Sequence, residues 1–410
     1  MLKRIHVEQL RLGSYVHELC GSWMDHPFWS GAFLLDSPAD LRTILSTGIK
    51  EVWIDTSKGL DIEAEAETEA IVASGIDTAL VQVDTPAKMA ARSDMHQEAE
   101  RAIKICAQSK QAVASMFNEA RMGKALDASD ALSIVAEISS SVLRNPGALI
   151  SLARLKNKDE YTYMHSVAVC ALMVSLARQL GLDDEQTRQA GVAGLLHDIG
   201  KMMIPPEILN KPGKLTDAEF EAVKSHPAAG HLMLLEGVGI SAIALDVCLH
   251  HHEKMDGSGY PDKFTDQQIS LHAKMGAVCD VYDAITSNRP YKNGWEPAES
   301  IRKMSEWRNS HFDTRVFDAF VRSIGIYPVG SLVRLESERL GVVIEQTEKS
   351  LLTPKVKVFF SIKSNGRISP QVLDLSKHAS KDKIISHEDP EKWNISDLQE
   401  MWSGLSAAPR

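Results

Sequence analysis

The sequence predicts a mainly α-helical protein: an all-helical middle, a smaller α+β segment before it, and a short β-rich extension after it. Three observations carry that expectation. The segments Asp159–Leu180, Asp183–Lys201 and Leu271–Ser287 read as helices. The first 85 residues mix short β-like runs with turns, and β-formers return between turn residues after Pro328. At 410 residues the chain exceeds the usual single-domain size. Its text divides into an α+β domain (1–85), a helical linker (86–145), a helical domain (146–329) and a β-rich extension with a tail (330–410).

In order along the chain, Glu51–Asp55 reads as a strand followed by a turn at Ser57–Gly59, and the acidic run Asp61–Glu69 as a solvated face. From Ala87 to Asn145 a long helix and a shorter one are expected, broken near Gly123 and Asp127–Asp130. Asp183 or Asp184 caps the helix that runs toward Lys201. Thr216–Glu219 has the capping-box pattern that starts another. Pro227, directly after His226, should interrupt that helix and open a new one, because proline suits a first turn and breaks an interior. Beyond Pro328, the runs Ser331–Leu335, Gly341–Ile344 and Val356–Phe360 suggest a small antiparallel sheet. Asp389–Arg410, with Trp393 and Trp402, reads as a docked helix or a loose tail.

Composition narrows the function. Apolar content of 44% and charged content of 24% are those of a soluble globular protein. A net charge of −10 with no Lys/Arg-rich run argues against a nucleic-acid polymer as partner. It does not exclude a small anionic substrate, because bound cations can set the local charge. The five cysteines, Cys20, Cys106, Cys170, Cys248 and Cys279, include no C-x-x-C pair and read as reduced thiols of a cytoplasmic protein. Cys170 and Cys279 fall in apolar helical text, as core residues. The opening MLKRIHVEQLRLGSYV lacks the apolar core of a signal peptide, and Val167–Ala177 is too short to span a bilayer. No membrane association is expected.

The middle third carries the chemistry: His165, the dyad His197-Asp198 with Lys201, His226, the pair His251-His252, Asp280, and the loop Gly259-Tyr260-Pro261. Imidazoles and carboxylates are the usual ligands of iron, manganese, zinc and nickel, and there are more here than one ion takes. Two ions sharing a carboxylate is the natural reading. Such a pair suits displacement at phosphorus, one ion activating water and the other neutralising phosphate. Lys201, one turn beyond Asp198, can meet a phosphate oxygen or hold Asp198. Asp280 and Asp283 lie mid-helix among Ala277, Val278, Val281 and Ala284, where buried carboxylates require a cation.

Each signal also has a bland reading. A lone His-Asp dyad arises by chance, and His165 in apolar text is by itself more often structural. His250-His251-His252 is ambiguous in register. Asp256–Pro261 by itself is a glycine-proline turn, without the acids of a calcium loop. His6, His17, His26, His231 and His272 have no ligand spacing.

Order and context favour the functional reading. Leu196–Lys201 resembles the signature of HD-domain phosphohydrolases. PPEILNKPGKL (205–215), HEKMDGSGYP (252–261) and DVYDAITSNRPY (280–291) together resemble the HD-GYP subfamily, whose members are cyclic di-GMP phosphodiesterases. The match runs from about residue 161 to 330, and Val7–Val16 resembles the opening of an uncharacterised domain that often precedes such modules. The resemblance implies an all-helical HD-type catalytic domain at 146–329, a regulatory domain at 1–85, and hydrolysis of cyclic di-GMP to pGpG and on to GMP. It implies metal ligands His165, His197, Asp198, His226, His251, His252 and Asp280, with His250 a neighbour. Asp198, Lys201 and Asp283 are then the catalytic groups, Asp283 orienting a ligand or water. Lys201, Tyr260, Arg289 and Lys292 would contact substrate, the guanidinium suiting phosphate.

The implied cofactors are two divalent transition-metal ions, iron or manganese ahead of nickel or zinc. Trinuclear members carry a glutamate one turn before His165. Here that position is Tyr161, with Glu160 about a quarter-turn away, and a phenol of pKa about 10 is a reluctant ligand. The Gly-Tyr-Pro loop is also the expected docking point for a diguanylate cyclase with a GGDEF domain or another signalling protein. The alternatives are a low-activity cyclic-dinucleotide receptor or docking module that keeps the metals, and a mononucleotide phosphohydrolase. The GSGYP and NRPYK segments oppose the latter.

Overall fold

In the computed structural model, which describes residues 2–20, 33–35, 41, 44, 51–56, 58–59, 95–154, 161–211, 213–287, 294–347, 350–377 and 382–405, the run Glu51–Asp55 is a strand as its alternation predicts. It joins β1 (Leu2–His6), β2 (Tyr15–Cys20) and β3 (Phe33–Leu34) as β4, in the antiparallel order β1-β4-β2-β3. Ile5, Val16, Val52 and Ile54 form its core with Leu35 and Ile44. His6 and His17 are exposed here; His26 and the acidic run 61–69 lie outside the described residues. By contact, the chain divides into two units, Met1–Asp84 with Asn210–Asp217, and Thr85–Leu209 with Ala218–Arg410.

The second unit opens with the expected long and shorter helices, α1 (Met95–Arg121) and α2 (Ala128–Arg144), the latter capped by Asp127. A fully buried carboxylate needs partners. Glu98 on α1 has them on α2: the Arg144 guanidinium donates to both its oxygens, at 2.7 and 2.9 Å, and the Ser141 hydroxyl donates at 2.8 Å. After α3 (Pro146–Arg154) comes α4 (Tyr161–Gln179). Val167–Ala177 is buried on every side, so α4 is the central helix of the unit.

Helix α5 (Asp184–Leu196) starts on the Asp183 cap but does not continue to Lys201 as expected. The α-helix stops at Leu196, and a 3₁₀ turn, Ile199–Met203, follows Asp198. The cause is tertiary. A Cβ on Gly200 would lie 1.9 Å from the His226 carbonyl oxygen and 2.4 Å from the Gly230 nitrogen. The next segment therefore packs directly on backbone there. Helices α6 (Asp217–Lys224) and α7 (His226–Leu235) are separated at Ser225, and Pro227 is the second residue of α7, the early position predicted. Around α4 also pack α8 (Ala242–His250), α9 (Leu271–Thr286), α10 (Pro297–Glu306) and α11 (Thr314–Ile324), directly or through one another.

The three predicted C-terminal strands are β5 (Leu332–Leu335), β6 (Arg339–Glu345) and β7 (Lys355–Ser361). Two more, β8 (Gly366–Asp374) and β9 (Ile384–His387), complete an antiparallel sheet of order β8-β7-β6-β5-β9. The chain end is the docked alternative: α12 (Leu398–Ser403) buries Trp402 and accepts the Lys357 ammonium at the Met401 carbonyl, 3.0 Å away. Cys106, Cys170, Cys248 and Cys279 are buried. Among the described residues no helix is long and apolar enough to cross a membrane.

Candidate metal centre

Five segments bring the predicted ligands together. His165 comes from central α4, His197 and Asp198 from the break after α5, and His226 from the first residue of α7. His251 and His252 follow the end of α8, and Asp280 stands mid-α9. The potential donor atoms fall into two groups, each within 4.8 Å: His165, His197, Asp198 and Asp280, and His226, His251 and His252. None of the seven is more than 7% exposed.

Asp198 lies between the groups. Its Oδ2 is 3.3 Å from Nε2 of both His165 and His197. Its Oδ1 is 3.2 Å from His226 Nε2 and 3.7 Å from His251 Nε2. Asp280 spans in the same way, with Oδ1 2.9 Å from His165 Nε2 and Oδ2 3.8 Å from His252 Nδ1.

The remote face of each ring decides which nitrogen is free. His197 Nδ1 donates to the Gly194 carbonyl (2.8 Å), His226 Nδ1 to Val223 (2.7 Å), and His251 Nδ1 to Val247 and Cys248 (3.0 and 3.1 Å). His165 Nδ1 donates to the Asp283 carboxylate at 2.5 Å. A ring that donates from Nδ1 keeps its Nε2 lone pair for a metal. In all four, Nε2 faces the middle of the site.

The electrostatics follow from burial and two aspartates. Burial opposes ionisation of Asp198 and Asp280, but neighbouring histidines, and for Asp198 the Lys201 ammonium, hold both well below the usual carboxylate range. Burial lowers His251 to about 3, reinforced by the positive field of His197, and holds His252 well below its ordinary value. Burial also works against protonated His197, yet the Asp198 charge beside it lifts it to about 10. His197 Nε2 and Asp198 Oδ1 are buried with no hydrogen-bond partner. Two such unpartnered atoms, among imidazoles and carboxylates that converge from five segments, fit cations, since leaving them bare costs several kcal/mol of desolvation. The residues fit a metal centre.

Beside the ligands, Lys201 Nζ lies 2.5 Å from Asp198 Oδ2. Tyr260 stacks on the His252 ring at 4.8 Å, with the Lys224 ammonium 5.9 Å from its own ring centroid. Gly259 is needed for that approach: a Cβ would meet the Glu253 and Lys254 backbone at 2.5 Å. His250 turns away from both ligand groups, as expected of a neighbour, and His231 and His272 are also outside them. Arg289, Lys292, Glu160 and the Tyr161 side chain lie outside the described residues.

Two features were missed. The buried Glu253 carboxylate accepts the backbone N–H groups of Asp262 (2.7 Å) and Phe264 (3.0 Å), clamping the Gly-Tyr-Pro loop. Lys224 carried no sequence signal beyond an ordinary helix-end charge.

The HD domain model matches residues 147–316, and a domain of unknown function, DUF3391, matches residues 2–131. Over 408 residues the chain is 59% identical to a cyclic di-GMP phosphodiesterase of Pseudomonas aeruginosa, covering 99% of this chain and 97% of that protein. The chain belongs to the HD-GYP family. Two further relatives match over shorter stretches. A cyclic di-GMP phosphodiesterase response regulator of Xanthomonas campestris is 43% identical over 42% of this chain and 47% of its own length. A 3′3′-cGAMP-specific phosphodiesterase of Vibrio cholerae is 36% identical over 40% of this chain and 38% of its own. The DUF3391 match covers the segment read as the opening of an uncharacterised domain.

Proposed function

We infer that this HD-GYP chain is a metal-dependent cyclic di-GMP phosphodiesterase, a phosphoric diester hydrolase of second-messenger signalling that opens the cyclic dinucleotide to pGpG and then to GMP. The observation that carries this reading is Asp198, whose two oxygens face separate groups of imidazoles. Divalent ions bound there would lower the pKa of water and polarise a phosphate oxygen. His165, His197 and Asp280 would hold one ion, and His226, His251 and His252 the other, with Asp198 between. Iron or manganese is the proposed metal.

The residues do the rest. Two aspartates carry −2 against +4 for two divalent ions, and the surplus suits one hydroxide and one phosphodiester, each of charge −1. Lys201, 20% exposed at the mouth of the site, pulls Asp198 into register and offsets charge on the reacting phosphate. Asp283 acts through His165, fixing its ring so that Nε2 faces inward. Its place on that ring supports a ligand-orienting role over a water-orienting one. Tyr260 forms a wall against which a guanine can lie, and burial keeps its phenol protonated. Arg289 and Lys292 grip the substrate phosphates on the resemblance of the NRPYK segment. The segment 1–85 supplies regulatory input to a catalytic domain at 146–329, and the Gly-Tyr-Pro loop is the proposed docking point for a cyclase partner in the cytoplasm.

The test is metal analysis of protein purified without oxygen, paired with turnover on the same sample. Two ions per chain and conversion of cyclic di-GMP to pGpG, lost in chelator and restored by iron or manganese, are expected. Undiminished turnover after metal removal contradicts the scheme. Faster cleavage of 3′3′-cGAMP reassigns the substrate, and tight binding with no turnover under reducing conditions favours a receptor.

A further inference from the structure

The three consecutive histidines that end α8 do different things. His251 and His252 turn into the ligand groups. The His250 ring instead lies on Phe264, with centroids 4.8 Å apart and planes 29° from parallel. Both its nitrogens meet carboxylates: Nδ1 is 2.8 Å from Asp246 Oδ1, and Nε2 is 3.1 Å from Asp262 Oδ2. Asp246 sits one turn back on α8, and its other oxygen accepts the hydroxyl of Ser270, the residue that caps α9 by accepting the Ala273 N–H. Asp262 follows the Gly259-Tyr260-Pro261 turn directly.

These contacts form a strap. It begins at the cap of α9, which carries Asp280, crosses α8, which leads into His251 and His252, and ends on the far side of the Gly-Tyr-Pro turn. The near side of the turn is held separately, with the Tyr260 N–H on the His252 carbonyl at 3.3 Å. Glu253 holds the backbone of Asp262 and Phe264 from within. Among these contacts, His250 supplies the side-chain link from helix to turn. Two charge-assisted hydrogen bonds in one ring fix it in direction as well as distance.

We propose that His250 is a positioning residue for the reaction, tying Asp262 to α8 so that Tyr260 lies over His252 where it can meet the substrate. This rests on the assignment of cyclic di-GMP as substrate. It adds that the groove wall is set from outside the metal centre by a residue that binds neither metal nor substrate. His250 differs from its two neighbours in mechanism: loss of either of them removes a ligand, whereas loss of His250 leaves the ligands and loosens the wall.

The experiment uses full-length His250→Ala and Asp262→Asn with the parent, measuring metal content, kcat and KM on cyclic di-GMP, and hydrogen exchange of the loop. Expected for both variants are unchanged metal content, KM raised about tenfold with kcat changed far less, and about tenfold faster exchange confined to 257–265. In a Tyr260→Ala background, His250→Ala should add no further rise in KM, because its effect passes through that ring. A simple folding defect would instead lower metal content and loosen exchange throughout. Unchanged loop exchange in His250→Ala overturns the proposal whatever the substrate is, and so does an undiminished KM effect in the Tyr260→Ala background. A metal-loaded parent that does not turn over cyclic di-GMP sinks the substrate assignment instead, while the exchange result still decides the role of His250.

Discussion

The two ligand groups are built by different means. His165, His197, Asp198 and Asp280 form an anionic half whose geometry depends on contacts far apart in sequence, such as His165 on α4 with Asp280 and Asp283 on α9. His226, His251 and His252 form an all-imidazole half. Two of its rings are braced by carbonyls only three or four residues back, at Val223, Val247 and Cys248. The first half supplies charge and is set by tertiary packing. The second contains no carboxylate and is set by local helix-end geometry. Asp198 faces both, and Asp280 reaches His252 from the first, so the halves should fail separately except through these two carboxylates.

The largest effect should come from Asp198→Ala. Removing the shared carboxylate should empty both halves and cut turnover by more than about a thousandfold, since metal activation contributes several kcal/mol to the barrier. Elemental analysis with single-turnover kinetics checks this; an active, metal-loaded variant would separate Asp198 from the centre. Gly200→Ala should be next. The added methyl meets the His226 carbonyl at 1.9 Å, so it should cost about 1–3 kcal/mol of stability through overpacking. Metal should be lost chiefly from the second half, and a denaturation midpoint plus metal content would show it. Asp283→Asn should weaken only the first half, by about 10–100-fold in metal affinity, as loss of a ligand's hydrogen-bond partner typically does. Equal weakening of both halves in a metal titration would break the distinction.

The smallest effect is a difference in protons. In the metal-free protein the Asp198 charge overrides burial and lifts His197 to about 10, so it is protonated at neutral pH. A cation entering the first half displaces that proton, and its affinity there rises with pH until about 10. His251, lowered by burial to about 3, and His252, held well below its ordinary value, have no proton to lose at neutral pH. Calorimetry in buffers of different ionisation enthalpy should find protons released as the first half fills, where the buried carboxylates raise both His165 and His197.

How much of this was legible depended on whether the information was local. The break near Asp127, the cap at Asp183 and the proline after His226 are local, and the helices they open formed where expected. The end of α5 at Leu196 was not legible, because it is imposed at Gly200 by the His226 carbonyl, distant in sequence. The missed strands β8 and β9 are the two edges of their sheet. Edge strands bury little, and β8 is mostly exposed and contains Pro370, so the alternation that marked the inner strands is weak there. The ligands could be named from motifs, but the separate facings of the two Asp198 oxygens required the fold.

The most direct test of two ions joined by Asp198 is anomalous diffraction at the metal absorption edge from crystals grown without oxygen. Two peaks are expected, one among His165, His197 and Asp280, the other among His226, His251 and His252, with an Asp198 oxygen bonded to each. A single ion, or a third bonded to Glu160 or Tyr161, would contradict it.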